Sequence, residues 1–134
     1  MIPVIGINSS SAPFMHDIGA RLKLFETRSR RMLHPFLGQR VILAETRQGG
    51  YLAMYSAVIR SARPVYSRDE WEALRPLHRV PVDNDYDLKP GTRVKWLYEI
   101  SDLRRLHPFQ VPEGVRHGRT WMEYDPTNKR RYKV

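Results

Sequence analysis

The strongest structural signal in the sequence is a β-hairpin in the first half of the chain. Gln39 to Thr46 has the composition of a strand centred on Val41-Ile42-Leu43, and Tyr51 to Arg60 returns as a longer strand. Between them, Gln48-Gly49-Gly50 supplies the positive backbone dihedrals that a tight hairpin turn requires. This hairpin commits the middle of the chain to an antiparallel sheet, around which the other elements must be placed.

Other segments add strands to this hairpin. Each is short, rich in β-branched or aromatic residues and bounded by turn-forming residues. The predicted strands are Ile2–Ile7, Phe25–Arg28, Val94–Leu103 and Trp121–Tyr124. The segment from His107 to Gly114 contains Pro108 and is predicted to cross irregularly between strands.

A first short helix is predicted after the opening strand. Pro13 suits a first helical turn, and Phe14, Ile18 and Leu22 recur at four-residue spacing. Gly19 is expected to end the helix. On this helix His16 and Asp17 are expected to face away from the core.

A second short helix is predicted from a capping box. Ser67 is followed three residues later by Glu70, and Trp71, Leu74 and Leu77 then recur at three-residue intervals. We expect this helix to stop near Pro76. The polar segment from Arg79 to Thr92 is then a long loop, which Tyr86 would tie down.

These elements predict an α+β fold in a single domain. The chain has 134 residues, enough for one core, and no internal repeat or linker divides it. Several strands, two short helices and no βαβ rhythm favour a small, mostly antiparallel β-barrel with the two helices at its rim. Residues 126–134 form a basic C-terminal tail.

The sequence argues against several classes of site. It contains no cysteine, and its five histidines are scattered without ligand spacing, so no metal and no cofactor are expected. No glycine loop for phosphates and no nucleophile elbow occurs. No apolar run reaches the length of a membrane span and the start does not resemble a signal peptide, so we expect a cytoplasmic protein without a membrane partner.

The charge favours an anionic partner. The formal net charge is +9, from 23 lysines and arginines against 14 acidic residues. Such a balance suits nucleic acid, because each basic side chain placed on a phosphate releases condensed counterions. The alternative is that the charge is incidental and that the chain is a protein-interaction module.

The candidate site is centred on Lys23, Glu26 and Arg28. In a regular strand Glu26 and Arg28 share a face and Lys23 points the other way, but Lys23 lies at the predicted helix-to-strand corner and can turn toward the same cleft. A lysine beside a carboxylate and a guanidinium can carry protons, or can grip phosphate or a base edge. The alternative is an ion pair that closes the end of the barrel.

Further binding candidates are basic residues elsewhere in the chain. Arg30 follows the central cluster, and Arg116, His117 and Arg119 are interleaved with Trp121 and Tyr124. Basic residues mixed with aromatic ones suit single-stranded nucleic acid through backbone contacts and base stacking. Trp121 itself is assigned to the core, with Trp71 and Trp96.

The residues around Lys23 resemble the hallmark of the ASCH domain, a member of the PUA-like superfamily. That hallmark has the form Gly-x-Lys-x-x-Glu-x-Arg. Lys23, Glu26 and Arg28 match its charged positions, whereas Arg21 replaces its glycine. The approach segment from Ala12 to Gly19 and the run Glu26-Thr27-Arg28-Ser29 are also similar.

The resemblance implies a PUA-like β-barrel with a cleft beside the motif that binds RNA or a modified nucleotide. It also implies possible hydrolytic chemistry, because some ASCH-type proteins remove an acetyl group from acetylcytidine and others are described as ribonucleases. In such an enzyme Lys23 would carry the proton, Glu26 would be its partner and Arg28 would anchor the substrate. The deacetylating type has threonine at the position of Glu26, which leaves the reaction open.

Overall fold

The computed structural model describes residues 2–112 and 121–124, the last segment and Pro112 through their backbone. Six strands, three short α-helices and one 3-10 helix alternate along this part of the chain. In chain order they are β1 (Ile2–Ile7), α1 (Phe14–Gly19), β2 (Phe25–Arg28), the 3-10 helix (His34–Phe36), β3 (Arg40–Arg47), β4 (Gly50–Val65), α2 (Arg68–Ala73), α3 (Arg75–His78), β5 (Lys95–Pro112) and β6 (Trp121–Tyr124).

The strands form one mixed sheet in the order β2-β5-β4-β3-β1-β6, which is curled into a half-barrel. Among the described residues β1 and β3 form the one parallel pair, with Val4 opposite Ile42, and the other neighbours are antiparallel. The predicted mostly antiparallel α+β barrel is confirmed. The sheet places β2, which carries the candidate motif, at one edge beside β5.

The predicted hairpin is confirmed as β3 and β4. Arg47 pairs with Gly50, and Gly49 has a φ of +81° in the turn. Val41 and Leu43 join the larger apolar core, whereas Ile42 and Ala44 on the opposite face join a second, smaller one. Because both faces of β3 are covered, its sequence is a continuous apolar run and does not alternate with polar residues.

The long strands differ from the sequence prediction in their length. β5 continues to Pro112, so the irregular crossing predicted between His107 and Gly114 is wrong as far as Pro112. Tyr55 pairs with Arg105 but Ala53 pairs with Phe109, which leaves extra residues of β5 in a bulge. Pro108 lies in that bulge, where its missing N–H breaks no ladder hydrogen bond.

The first helix is confirmed, but the prediction that Asp17 faces away from the core is wrong. α1 ends at Gly19 as predicted and His16 is exposed, but Asp17 is buried with 6% of its surface exposed. Arg79 Nε lies 3.4 Å from Asp17 Oδ2 and supplies a partner from α3's C-terminal end. A buried carboxylate paired across the fold cannot be recognised from helical spacing alone.

The second helix is confirmed at its start and wrong at its end. Ser67 Oγ accepts a hydrogen bond from the Glu70 N–H at 3.2 Å, as a capping box requires. The helix breaks after Ala73, and α3 begins at Arg75 with Pro76 in its first turn. Pro76 therefore helps to start a third helix, a position that its fixed φ favours.

Asp87 makes three hydrogen bonds that help to hold the loop following α3. The Asp87 carboxylate accepts hydrogen bonds from Trp71 Nε1 at 2.7 Å, from Arg75 at 3.1 Å and from the Asp83 N–H at 2.9 Å. Tyr86 contributes an edge-to-face contact with Phe14. Within the described residues, no helix is long and apolar enough to span a membrane.

Candidate functional site

A pocket of about 600 Å³ opens beside β2. Its walls come from the end of β1, from α1 and the turn after it, from β2 and the basic run that follows it, from the β3–β4 hairpin, and from the start of β5 and the loop before it. All three central motif residues line it. The lining residues are Gly6, Ile7, Asn8, Phe14, Lys23, Glu26, Thr27, Arg28, Ser29, Arg30, Met32, Thr46, Tyr51, Tyr86 and Lys95.

A sharp turn after α1 directs Lys23 into this pocket. The Leu22 N–H donates to the Asp17 carbonyl at 2.9 Å and the Arg21 N–H donates to the Ile18 carbonyl at 3.0 Å. Arg21 has a φ of +60°, so these bonds form a Schellman motif with Arg21 at its left-handed position. The glycine of the resembled hallmark falls at this position, and glycine adopts such a backbone without strain.

Lys23 is buried although it is a lysine. Only 2% of its surface is exposed, and its Nζ donates to the His78 carbonyl at 2.5 Å. The Phe14 ring lies 4.9 Å from Nζ, and Glu26 Oε1 lies 3.9 Å away. Burial lowers the pKa of Lys23 to about 8, although the Glu26 carboxylate opposes this effect.

Glu26 and Arg28 form a close ion pair on the same wall. Arg28 NH1 donates to Glu26 Oε2 at 2.5 Å, and NH2 donates to the Gly6 carbonyl at 3.2 Å. Among the described residues the buried Arg28 Nε has no hydrogen-bond partner. The pair is therefore fixed to β1, and one donor of the guanidinium is unused.

Aromatic rings and a second buried lysine complete the pocket. Phe14, Tyr51 and Tyr86 all line it, and Tyr86 is 37% exposed. Lys95 is 5% exposed, and burial lowers the pKa of its ammonium group. Lys95 was not predicted as a site residue, because nothing in the sequence distinguishes it from the exposed Lys89 nearby.

The structure brings together four of the predicted site residues. Lys23, Glu26 and Arg28 line one pocket, and the exposed Arg30 also contributes to its wall. Arg116, His117 and Arg119 lie outside the described residues, as does the predicted tail at 126–134. The prediction that Lys23 joins Glu26 at the helix-to-strand corner agrees with this arrangement.

The side chains that line the pocket can form hydrogen bonds with a ligand, exchange protons and stack against an aromatic ring. Glu26 can accept hydrogen bonds from an exocyclic amine, and the cations can donate to carbonyl or phosphate oxygens. A lysine with a pKa of about 8 exchanges its proton near neutral pH. The aromatic rings offer faces for stacking.

The left-handed residue Arg21 gives a direct test of the turn. We expect the free energy of unfolding of Arg21→Gly to exceed that of Arg21→Ala by about 1 kcal/mol, because alanine must adopt the positive φ whereas glycine adopts it freely. The Arg21 side chain donates to the Leu103 carbonyl at 3.5 Å, a contact that both variants lose. Urea denaturation of the two variants measures the difference.

Arg60, on the long strand β4, is the matched control. It is exposed and keeps an ordinary negative φ. There Arg60→Ala is expected to be more stable than Arg60→Gly by about 0.5–1 kcal/mol, the reverse order. The same order at both positions would contradict the assignment of the turn.

Comparison with known proteins shows the fold. No protein-family model and no curated protein matches the sequence. The solved structure of ASCH from Zymomonas mobilis is similar, with a TM-score of 0.65 and 16% identity over 96% of this chain and 91% of the other.

Two variants of that Zymomonas mobilis protein are similar as well. A serine-to-alanine variant gives a TM-score of 0.69 at 16% identity, over 96% of this chain and 91% of the other. A tyrosine-to-phenylalanine variant gives 0.68 at 17% identity, over 96% and 93%. The chain therefore has the ASCH fold that the motif around Lys23 predicts.

Proposed function

We propose that this ASCH-fold chain binds RNA or a modified nucleotide in the pocket beside the Lys23-x-x-Glu26-x-Arg28 motif. The observation that carries the proposal is the burial of Lys23 and Glu26 together in the wall of a pocket of about 600 Å³. Ligand sites of nucleotide or drug size occupy about 300–1,000 Å³ and combine apolar walls with a few polar groups. Burying a lysine beside a carboxylate costs desolvation free energy, and hydrogen bonds to a polar ligand can offset part of that cost.

The polar groups suit the edge of a base. A carboxylate accepts from an exocyclic amine such as that of cytosine, and lysine or arginine donates to ring carbonyls or nitrogens. The exposed Tyr86 ring and the neighbouring Phe14 offer a stacking surface. The net charge of +9 supports a polyanionic ligand or a phosphate-bearing one.

The direct test measures binding by isothermal titration calorimetry. The probes are the four ribonucleosides, their 5′-monophosphates, N4-acetylcytidine and a single-stranded RNA of about ten nucleotides, which is long enough to contact several basic side chains. Each is measured at low and at physiological salt, with inorganic polyphosphate as a polyanion that lacks bases. Binding of a base-containing probe in preference to polyphosphate is expected. Absence of binding to every nucleoside, nucleotide and RNA would overturn the proposal.

A hydrolytic reaction at the same pocket is the second candidate, and the lowered pKa of Lys23 favours it. Water would add across the amide of an acylated base, releasing the carboxylic acid and the free amine, or across a phosphodiester of RNA. Lys23 in its neutral form would take the proton from water, and Arg28 would hold the substrate. General-base catalysis of this kind contributes about 10²–10⁴-fold in rate.

The pH dependence of the rate tests this second candidate. Because Lys23 has a pKa of about 8, kcat/KM is expected to rise as the pH increases through 8 and then to level off, since the neutral amine is the active form. Hydrolysis of N4-acetylcytidine and of a fluorogenic RNA, measured between pH 6 and pH 10, gives the profile. No turnover of either substrate would exclude both reactions, and a flat profile would exclude Lys23 as the base.

A further inference from the structure

Lys95 is a second buried ammonium group in the same pocket. It is the first residue of β5, where it pairs with Val65 of β4. Because Arg28 of β2 pairs with Trp96, the chain leaves β2 at Ser29 directly beside Lys95. The register of the sheet therefore brings Lys95 to the motif.

The hydrogen bonds of Lys95 leave its charge unbalanced. Its Nζ donates to the Tyr86 carbonyl at 2.9 Å and lies 3.4 Å from Ser29 Oγ, both uncharged acceptors. In the described part of the chain no carboxylate lies within 4 Å of Nζ. Asp87 attracts the ammonium group from farther away, but its Oδ1 accepts hydrogen bonds from Trp71 and Arg75 and its Oδ2 accepts one from the Asp83 N–H. An ammonium group has three donors, and a buried one without an anion is costly.

The other charges of the pocket do not neutralise Lys95. The lining residues include one acidic side chain, Glu26, against four basic ones. Glu26 lies 2.5 Å from the Arg28 guanidinium and 3.9 Å from Lys23. Lys95 and the exposed Arg30 thus face the pocket without a counter-ion among the described residues.

We propose that Lys95, with Ser29 and Arg30, forms an anion subsite that takes a phosphate group, so that the ligand of this pocket is phosphorylated. This inference rests on the proposed function and deepens it, because it assigns the residues that hold a phosphate of the nucleotide or RNA. Phosphate oxygens accept charge-assisted hydrogen bonds from ammonium, guanidinium and hydroxyl donors. The Phe14 ring contacts Lys23 Nζ and the Tyr86 ring. The Tyr86 carbonyl in turn accepts a hydrogen bond from Lys95, so Phe14 and Tyr86 connect the two lysines.

A two-by-two binding experiment tests the subsite. Each ribonucleoside is compared with its 5′-monophosphate, in the wild type and in Lys95→Met, by calorimetry at one fixed salt concentration. In the wild type the monophosphate is expected to bind at least about tenfold more tightly, as charge-assisted hydrogen bonds allow. In Lys95→Met this advantage is expected to fall below about threefold, while nucleoside affinity stays within about twofold.

Two further variants control for charge and for packing. Lys89→Met removes one positive charge from an exposed position near the pocket and is expected to retain the full advantage of the phosphate. Lys95→Arg keeps the positive charge and is expected to retain most of the difference in affinity between the monophosphate and the nucleoside. Dinucleoside monophosphates distinguish the source of the phosphate, because tighter binding than the 5′-monophosphates indicates an internal phosphodiester of RNA.

The outcomes separate this inference from the proposed function. If the wild type binds a nucleoside and its monophosphate with equal affinity, the subsite is overturned, and this result does not depend on whether Lys95→Met folds. The subsite is also overturned if a folded Lys95→Met still binds the monophosphate more tightly than the nucleoside. If no nucleoside, nucleotide or RNA binds, the proposed function fails. In that case thermal stability is measured with inorganic pyrophosphate. If pyrophosphate stabilises the wild type but not Lys95→Met, the anion site is supported without a nucleotide. If pyrophosphate does not stabilise the wild type, the anion site is rejected as well.

Discussion

Replacing Lys23 with methionine is expected to weaken binding of the best nucleotide or RNA ligand by about 10–100-fold, because a buried charge-assisted hydrogen bond is worth about 1.5–3 kcal/mol. Methionine fills a similar volume, so the pocket should keep its shape. If the pocket is hydrolytic, the rate should fall by about 10²–10⁴-fold. Calorimetry and the hydrolysis assays measure the two effects.

The stability of Lys23→Met is expected to change little. The substitution removes the hydrogen bond to the His78 carbonyl, but it also removes the cost of burying an ammonium group. The free energy of unfolding should therefore stay within about 1 kcal/mol of the wild type. Lys89→Met, at an exposed position with the same charge change, should alter neither binding nor stability. Unchanged ligand affinity in Lys23→Met would remove Lys23 from the site.

The pH dependence of stability adds a check on the burial of Lys23. Its pKa is about 8 in the folded chain against 10.5 for a free lysine. Between these values the unfolded chain binds more protons, so wild-type stability should rise as the pH increases from 8 to 10.5. Lys23→Met should lack this contribution to the rise.

Asp87→Ala is expected to lower the free energy of unfolding by about 3 kcal/mol, because breaking a buried charged network leaves its partners unsatisfied. Trp71 Nε1 would lose its acceptor, Arg75 one of its carboxylates, and the Asp83 N–H its cap. The melting temperature should fall by roughly 10 °C. Differential scanning calorimetry and urea denaturation measure both quantities.

Asp85 provides the matched control in the same loop. It is exposed, so Asp85→Ala makes the same charge change without breaking the network and should stay within about 0.5 kcal/mol of the wild type. Asp87→Ala should also weaken ligand binding, because Asp87 fixes the loop that presents Tyr86 and its carbonyl to Lys95. Equal stability of the two variants would show that the network does not hold the loop.

The acid dependence of stability should distinguish the wild type from Asp87→Ala. Burial by itself would raise the pKa of Asp87, but the hydrogen bonds from Trp71, from backbone N–H groups and from Arg75 prevail and lower it to about 2, from 3.8 in an isolated aspartate. The stabilisation is therefore present above pH 3.8 and is lost as the pH falls toward 2. The difference in stability between the wild type and Asp87→Ala should shrink over this range.

Local sequence signals predicted most elements correctly where the cause is local. The capping oxygen of Ser67 and the glycine turn at Gly49 act within a few residues of their own position, and both were predicted. The extension of β5 through Pro108 was not predicted, because the proline lies in a bulge of β5 opposite β4 and therefore does not end the strand. A bulge is a property of two strands, and one strand's sequence does not contain it.

For the candidate site, the sequence by itself determined the Lys23, Glu26 and Arg28 cluster and the corner that turns Lys23 toward it. The tertiary structure alone decided that Lys23 is desolvated, since the carbonyl that holds it belongs to His78, 55 positions away. It also decided that Lys95 joins the pocket and that Asp17 and Asp87 are buried. The physical reason is that the protonation and solvation of a charged side chain depend on which distant segments exclude water from it, and those contacts form only when the sheet and its loops assemble.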